Sequence, residues 1–591
     1  MKAVFGKFVY EDLAFCLEAF NLKESEKLFE KIEQLRGEFY FLGYVKYEFY
    51  RYLVDKDYQS DEPFAFFYAF KKRAPFTPQK KDDDAFLPRI CKKLDNAAYK
   101  RGFDAVKEVL KRGQSYQVNL TSAFSFETSL DEWQLFCTLA NRQNTPFKAF
   151  LQNKYLSLLS FSPELFFKTN RRKITTKPMK GTISRGKNKK EDERLKKFLQ
   201  NDAKNRSENL MIVDLLRNDL AKICEPHTQK TRLFEISTYK TLHQMTSTVK
   251  AKLRPNTTLF EIFSALFPCG SITGAPKIET MKIINSLEEG ERGVYCGAIG
   301  VIHGKRSKFS VAIRTLQRRA GESEFSCQVG SGLVYESDFE GEFEELKLKA
   351  KFVTGGEFEI FETMRCENGA ILFFKEHLLR LLKSGEHFGF DTTQIRQNFS
   401  DILAINAVYA GFEGLGLKQV NDEIFKNFNQ SVWQKHNLKT PLSRCVVKLS
   451  LAKTGGFRLD FFPLNDAASD YLILAKSALN SHSDNLFHKT TRRSFYEKHS
   501  LWRSGACFDV AFFNEKNELC EGSRSNLILK KGENFYTPPL ASGLLAGVFR
   551  QFLLTLGVVS EAVLTKNDLF CNEIYAINSV RGVQKLRLKN E

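Results

Sequence analysis

The chain has 591 residues, too many for a single hydrophobic core, and at about 150 residues per domain it divides into three or four lobes. Apolar residues make up 42% and charged residues 27%, the balance of a soluble globular protein, which excludes disordered and fibrous classes. The formal net charge of +19 raises nucleic-acid binding. However, the basic runs Lys71-Lys72-Arg73, Arg171-Arg172-Lys173 and Lys187-Asn188-Lys189-Lys190 are short, dispersed and flanked by acids. A solvated lysine-rich surface is the simpler account, and its positive field would also gather small dianionic substrates.

At the start, Met1 to Lys7 gives way to Glu11 and Asp12 with no apolar signal core. No run of about 18 apolar residues follows, so no membrane span is expected and the chain reads as cytoplasmic. The twelve cysteines are scattered. The closest two, Cys507 and Cys520, lie outside C-x-x-C spacing, so reduced thiols are expected in place of zinc or redox motifs. Leu13, Phe15, Leu17 and Phe20 read as a helical pattern, and Phe39 to Tyr44 as a strand. From about residue 96 to 350, β-like runs alternate with helices, and Val213, Leu215, Leu216, Leu220 and Ile223 repeat at helical spacing. A Lys/Glu-rich helix then runs to Gly355-Gly356, and an alternating strand starts at Phe358. The main boundary is placed there, giving a domain 1–350 (core about 96–350) and a domain 351–591.

Within the first domain, motifs follow one another in a fixed order. They are Ser115-Tyr116-Gln117-Val118-Asn119, Ser162-Pro163-Glu164, Pro178-Met179-Lys180-Gly181-Thr182 and Glu208 through Leu220. Gly270-Ser271-Ile272-Thr273-Gly274-Ala275-Pro276-Lys277, Ile313-Arg314-Thr315, Gly330-Ser331-Gly332 and Glu342 through Lys349 complete the series. Glu342, Glu345 and Lys349 are spaced i, i+3, i+7 and share one helical face, while Glu208 begins another helix.

Taken together, the blocks resemble the catalytic core of the chorismate-utilising enzymes almost end to end. The resemblance implies an α+β fold of antiparallel sheets with flanking helices. It also implies Mg2+ held by Glu208 and Glu345, with Glu342 as a closely associated acid. Chorismate carboxylates would be held by Arg314, Lys349, Tyr295 and the amides of Gly330 to Gly332, with Thr273 and Gly274 lining the pocket. Isochorismate and salicylate synthases carry a water-activating lysine where Gln117 stands, and glutamine cannot act as that base. Anthranilate synthases carry Ala where Lys180 stands, whereas aminodeoxychorismate synthases carry lysine.

That lysine would attack ring carbon 2 before ammonia enters at carbon 4, with Glu164 as acid and base. At an ordinary pKa near 10.4 only about 0.1% or less of a lysine is neutral at pH 7, so the pocket must desolvate Lys180 or let Glu164 take its proton. Two departures stand out. Gln244 replaces the second of two adjacent histidines common in relatives, and no glutaminase unit is recognisable. The ammonia is expected from a separate glutamine amidotransferase subunit, with direct use of ammonium as the alternative.

In the second domain, Phe361-Glu362-Thr363, His377-Leu378-Leu379-Arg380, His488-Lys489-Thr490, Glu521-Gly522-Ser523-Arg524-Ser525-Asn526 and Gly543 through Arg550 resemble fold-type IV pyridoxal-phosphate enzymes. This two-lobed group includes branched-chain and D-amino-acid aminotransferases and aminodeoxychorismate lyases. By that resemblance Lys489 is the Schiff-base lysine, Arg380 binds the cofactor phosphate, and Glu521 keeps the pyridine nitrogen protonated. The amides of Val548 and Phe549 would cradle the phosphate at a helix start. A threonine common at the Phe549 position and a Tyr-Gly-Asp-Gly block are missing. The group allows for a homodimer through this domain.

The two resemblances imply synthesis of 4-aminobenzoate for folate, by amination of chorismate followed by elimination of pyruvate. The alternative within the enzyme class is an anthranilate synthase fused to an aminotransferase-like domain. A nucleic-acid-binding protein with a decayed enzyme fold is the rival from another class. The intact set Lys180, Glu208, Glu345, Lys489 and Glu521 argues against it.

Overall fold

The computed structural model describes residues 2–54, 60–78, 88–143, 145–186, 188–238, 242–354, 358–404, 414–426, 443–497 and 505–589. These fall into two compact units. The first runs to Thr354, and the second takes the later residues together with residues 88–90 and Thr128–Leu130. The Gly355-Gly356 junction expected from the sequence lies outside the described residues. No described helix is long and apolar enough to cross a membrane.

In the first unit, the strands among the described residues form one 18-stranded network of antiparallel ladders with helices packed against it. Its largest core is aromatic, with Phe29, Phe49, Phe67, Phe166, Phe167, Phe263 and Phe309 among the buried members. The pattern Leu13, Phe15, Leu17 and Phe20, expected as a helix, is instead part of or next to the strand Phe8–Ala19. Leu13, Phe15 and Leu17 recur every second residue, which places them on one side of a strand. A register shift between Leu13 and Phe15 follows the left-handed backbone of Asp12 (φ 61°). The helical stripe is present, on Ala203–Ala221, which buries Ile212, Val213, Leu216 and Leu220.

The second unit holds two sheets. One has four strands in the order Ala370–Ile371, Ile360–Glu367, Arg444–Leu451, Phe457–Pro463. Its core packs Phe374, Leu378, Leu381 and Leu382 from the helix Phe374–Phe388. The other has eight strands of mixed direction and includes Leu519–Gly522, Asn526–Lys531 and Glu573–Asn578. The mixed α and β content and the antiparallel sheets match the expected fold class.

Candidate active sites

In the first unit, Gln117 opens the strand Gln117–Glu127, which sits between two glycine-bearing partners. Gly274 lies opposite Val118 on one side, and Gly332 lies opposite Asn119 on the other. A Cβ on Gly274 (φ 151°) would fall 1.8 Å from the Gln117 carbonyl oxygen, so only glycine allows the strands to close here. A Cβ on Gly332 would lie 2.5 Å from Gln117 Nε2 and 3.0 Å from Lys180 Nζ. That missing side chain is where glutamine and lysine meet. Both amide atoms of Gln117 and Asn119 Nδ2 are buried with no hydrogen-bond partner among the described residues, and such groups favour a polar ligand.

Lys180 lies on Met179–Ser184 at a register shift against Leu242–Lys252. Gly181 (φ 78°) brings this strand so close to the helix Ala203–Ala221 that a Cβ would meet Asn205 Oδ1 at 2.6 Å. Lys180 Nζ stands 3.6 Å from Glu208 on that helix, with only 14% and 18% of the two side chains exposed. Burial pushes the Lys180 ammonium below its ordinary pKa, and the Lys349 charge adds to this while Glu208 and Glu164 oppose it. Glu164, buried between two strands, accepts from Ser271 Oγ at 2.7 Å. Burial raises its pKa to about 7 against the pull of Ser271 and Lys180. An amine lowered and a carboxyl raised by the same enclosure are drawn together in proton affinity, which favours proton exchange between them.

On Phe339–Thr354, Lys349 Nζ donates to the Gly330 carbonyl at 2.7 Å and pairs with Glu345 at 2.7 Å. Burial opposes ionisation of Glu345, but Lys349, Lys180 and Lys204 outweigh it and hold the carboxyl below the usual range. Glu342 does something else. Its two oxygens accept from the hydroxyls of Ser331 and Ser337, so it braces the glycine strand from behind. The ligand atoms of Glu208, Glu342 and Glu345 do not all converge within 4.8 Å. Among the described residues the group of three that does is Cys91, Glu127 and Glu324, on the surface. With one hydroxyl on each oxygen, the Glu342 carboxylate keeps lone pairs for a further ligand beside Glu345. Glu208 and Glu345, which face ammonium groups, remain a fit for magnesium, which takes one or two carboxylates and completes its shell with water and substrate oxygens.

Thr273 keeps its hydroxyl on its own turn, donating to the Cys269 carbonyl at 3.2 Å. Tyr295 is packed in the aromatic core, and burial drives its phenol well above the ordinary value. Arg314 has a left-handed backbone (φ 51°) and reaches Gln143 Oε1 at 3.1 Å. Sequence reasoning missed Arg292. Its buried guanidinium donates to Glu288 and to the carbonyls of Ile272 (3.0 Å) and Asn119 (2.8 Å), so it fastens two walls of the pocket together. Glu288 ends the helix Lys277–Leu287 and Arg292 lies beyond it, so the pair carries no helical signal in the sequence.

The second unit places Lys489, Arg380, Glu521, Val548 and Phe549 around one cavity of about 550 Å³. Lys489 Nζ donates to Thr363 Oγ1 at 2.6 Å, and burial lowers its pKa to about 7 despite Glu362. Glu521 accepts from Tyr496 Oη at 2.6 Å and from the Leu545 amide at 3.1 Å. Burial raises it to about 7. Arg380 forks onto Glu362 through Nε (2.8 Å) and Nη2 (2.6 Å), and Nη1 donates to the Ala546 carbonyl. One N–H on each terminal nitrogen is left for a ligand.

Gly547 caps the helix Val548–Thr555 without a side-chain hydrogen bond. A Cβ there would fall 1.9 Å from Asn526 Oδ1. The residues fit pyridoxal phosphate on three counts. They offer an uncapped helix start for a phosphate, a buried carboxyl for a pyridinium nitrogen, and a lysine that is neutral for about half the time at pH 7. Glu362 and Thr363 fall in a matching block of the sequence but drew no role from it, and Tyr496 was not singled out; all three hold the named residues in place.

Comparison with known proteins follows this division. Residues 10–355, more than half of the chain, match the family model of the chorismate binding enzymes, and residues 359–588 match that of the class IV amino-transferases. Aminodeoxychorismate synthase component 1 of Escherichia coli (strain K12) is 37% identical over 280 residues, covering 47% of this chain and 61% of that protein. Anthranilate synthase component 1 of Saccharolobus solfataricus is 34% identical over 260 residues, 44% of this chain and 61% of that protein. The chain thus spans about three fifths of the length of these relatives. Anthranilate synthase component I from Streptococcus pneumoniae TIGR4 shares the fold, with a TM-score of 0.52 at 22% identity over 60% of this chain and 92% of that one. The chain belongs to the chorismate binding enzyme family, and it continues into a second domain of the class IV amino-transferase type.

Proposed function

We propose that this chain makes 4-aminobenzoate in two consecutive steps, converting chorismate and ammonia to 4-amino-4-deoxychorismate and then eliminating pyruvate. The observation that carries the reading is Lys180, an enclosed amine that shares its pocket with Gln117 and Gly332 and lies 3.6 Å from Glu208. Amination at carbon 2, the anthranilate reaction, has no use for a nucleophile at this place.

In the first step the neutral Lys180 amine attacks ring carbon 2, both ring double bonds shift by one position, and the bond from carbon 4 to its hydroxyl breaks. Glu164, protonated for about half the time at neutral pH, gives the departing hydroxyl its proton, so that water leaves. Ammonia then bonds to carbon 4, both double bonds return, and Lys180 is released as Glu164 takes the surplus proton. Magnesium at Glu208 and Glu345 would supply charge neutralisation for the substrate carboxylate and the leaving oxygen. The ammonia comes from a separate glutamine amidotransferase subunit.

In the second step Arg380 and the amides of Val548 and Phe549 hold a phosphate, while Glu521 pairs with a ring nitrogen. Bound pyridoxal phosphate supplies an electron sink for a carbanion. Lys489, neutral near pH 7 and held by Thr363, removes the proton from ring carbon 4. The carbon–oxygen bond at carbon 3 then breaks, pyruvate leaves and the ring becomes aromatic.

The test is to incubate the protein with chorismate, magnesium and ammonium, with and without pyridoxal phosphate, and to identify products by chromatography. The reading expects 4-aminobenzoate and pyruvate with the cofactor and 4-amino-4-deoxychorismate without it. Anthranilate as the product would refute it.

A further inference from the structure

Lys448 is a charge that the assignments above leave unused. It lies on Arg444–Leu451 directly opposite Thr363, the residue that holds Lys489 Nζ. Directly opposed residues of an antiparallel pair share a sheet face with Cβ atoms about 5 Å apart, so Lys448 rises beside the partner of the reactive lysine. It lines the same cavity. Its Nζ is 4.7 Å from the centroid of Phe361, the ring that Lys489 Nζ approaches at 5.5 Å.

No ion pair forms at Lys448 among the described residues. The other cations of the cavity each donate to a protein oxygen, Lys489 to Thr363. Arg380 is on Glu362 and Arg550 on Glu561, while Arg493, Arg524 and Arg581 donate to the carbonyls of Ser523, Phe508 and Asn465. A half-buried ammonium on an aromatic face, next to the reacting position and without a carboxylate, is arranged to receive one from a ligand.

We propose that Lys448 binds a carboxylate of the second domain's substrate, the one carried by the ether-linked three-carbon group that leaves as pyruvate. The proposal rests on the two-step reading above. The substrate has two carboxylates. Its amine-bearing carbon must sit at Lys489, and the ether is on the adjacent ring carbon, so the three-carbon carboxylate lies on the near side of the ring. The ring carboxylate lies across it. Lys448, rooted opposite Thr363, matches the near one. Bound there, the ammonium fixes which ring carbon faces Lys489 and favours a dicarboxylate over a simple amino acid.

The test uses the full chain loaded with pyridoxal phosphate, with 4-amino-4-deoxychorismate as substrate and Lys448→Gln and Lys448→Arg as variants. Lys448→Gln should raise KM about tenfold or more, the loss of roughly one ion pair, and Lys448→Arg should recover most of it. A second readout needs no turnover. With magnesium chelated and ammonium omitted, chorismate, which has both carboxylates and no amine, is titrated while the absorbance of the bound cofactor is followed. Half-maximal response should shift upward about tenfold in Lys448→Gln. In the unmodified protein, chorismate should act at far lower concentration than benzoate, a measurement that holds even if a variant folds poorly.

Wild-type KM and wild-type chorismate response in Lys448→Gln, or equal potency of benzoate and chorismate, would overturn the proposal. Failure of the two-step reading looks different. The unmodified protein would then release no pyruvate from 4-amino-4-deoxychorismate, while the chorismate titration would still report on Lys448.

Discussion

Lys489 should cost the cofactor-free protein stability at neutral pH, and Lys489→Met should return it. Burial lowers this lysine from an ordinary 10.5 to about 7, which corresponds to roughly 5 kcal/mol of preference for the neutral form. The unfolded chain binds the proton more tightly, so protonation favours unfolding. The penalty is full below pH 7, declines as pH rises from 7 to 10.5, and vanishes above. Part of the side chain still meets solvent, and methionine forfeits the 2.6 Å hydrogen bond to Thr363, itself worth about 1 kcal/mol. A net gain of about 2–4 kcal/mol at pH 6–7 is left. The assay is thermal or denaturant unfolding of the cofactor-free protein from pH 6 to 10, followed by a probe in the second domain. The variant's advantage should be largest at the acid end and should shrink toward pH 10. A variant no more stable than wild type at pH 6, or an advantage that grows with pH, would refute the reasoning.

The other predictions concern the first domain. Lys180→Ala should reduce 4-aminobenzoate formation to background with some anthranilate appearing, read by chromatography; unchanged 4-aminobenzoate would remove the covalent role. Glu164→Gln should slow amination by about 10²- to 10⁴-fold, and in the wild type the acid function should fade above about pH 7, where Glu164 loses its proton; a flat rate from pH 6 to 9 would contradict this. Glu208→Gln and Glu345→Gln should each raise the magnesium concentration needed for half-maximal amination, whereas Glu342→Gln should lower stability. Gly274→Ala should destabilise the domain by about 3 kcal/mol or more through backbone strain and collision. Gly332→Ala meets only the ends of two flexible side chains, so it should fold and lose chorismate binding.

Much of the first site was legible because its residues come in blocks whose chemistry is local. Lys180 beside a glycine and glycines alternating with Ser331 each announce a constraint in a few letters, although the helix that carries Glu208 starts earlier than expected, at Ala203. What faces a helix is not local. The i, i+3, i+7 spacing correctly put Glu342 and Glu345 on one helix face, but nothing in the spacing showed that Ser331 and Ser337 would take both oxygens of Glu342. Arg292 was invisible for the same reason, since its partners come from three separate segments. The misread strand at Phe8–Ala19 arose from a pattern in which Phe20 extends past the strand end and the register shift near Asp12 breaks the alternation. In the second site the named residues were readable and their supports were not. Thr363 and Glu362 are ordinary letters until the sheet brings them to Lys489 and Arg380.

The ladder between Gln117–Glu127 and Phe325–Leu333 has a consequence for how the protein is made. Gly332 and Asn119 face each other across it, yet one is among the early residues to leave the ribosome and the other comes only near the end of the domain. Until that late strand docks, Gln117 has a wall on the Gly274 side only, and Lys180 has no pocket in which to lose its charge. Closing such a distant pairing is slow, and the growing chain meanwhile holds a long unpaired strand edge. An exposed edge of this kind is open to wrong pairing with other chains during synthesis. It also means that deleting the few residues of that strand would abolish the first activity, although Lys180, Glu164 and Glu208 would still be present.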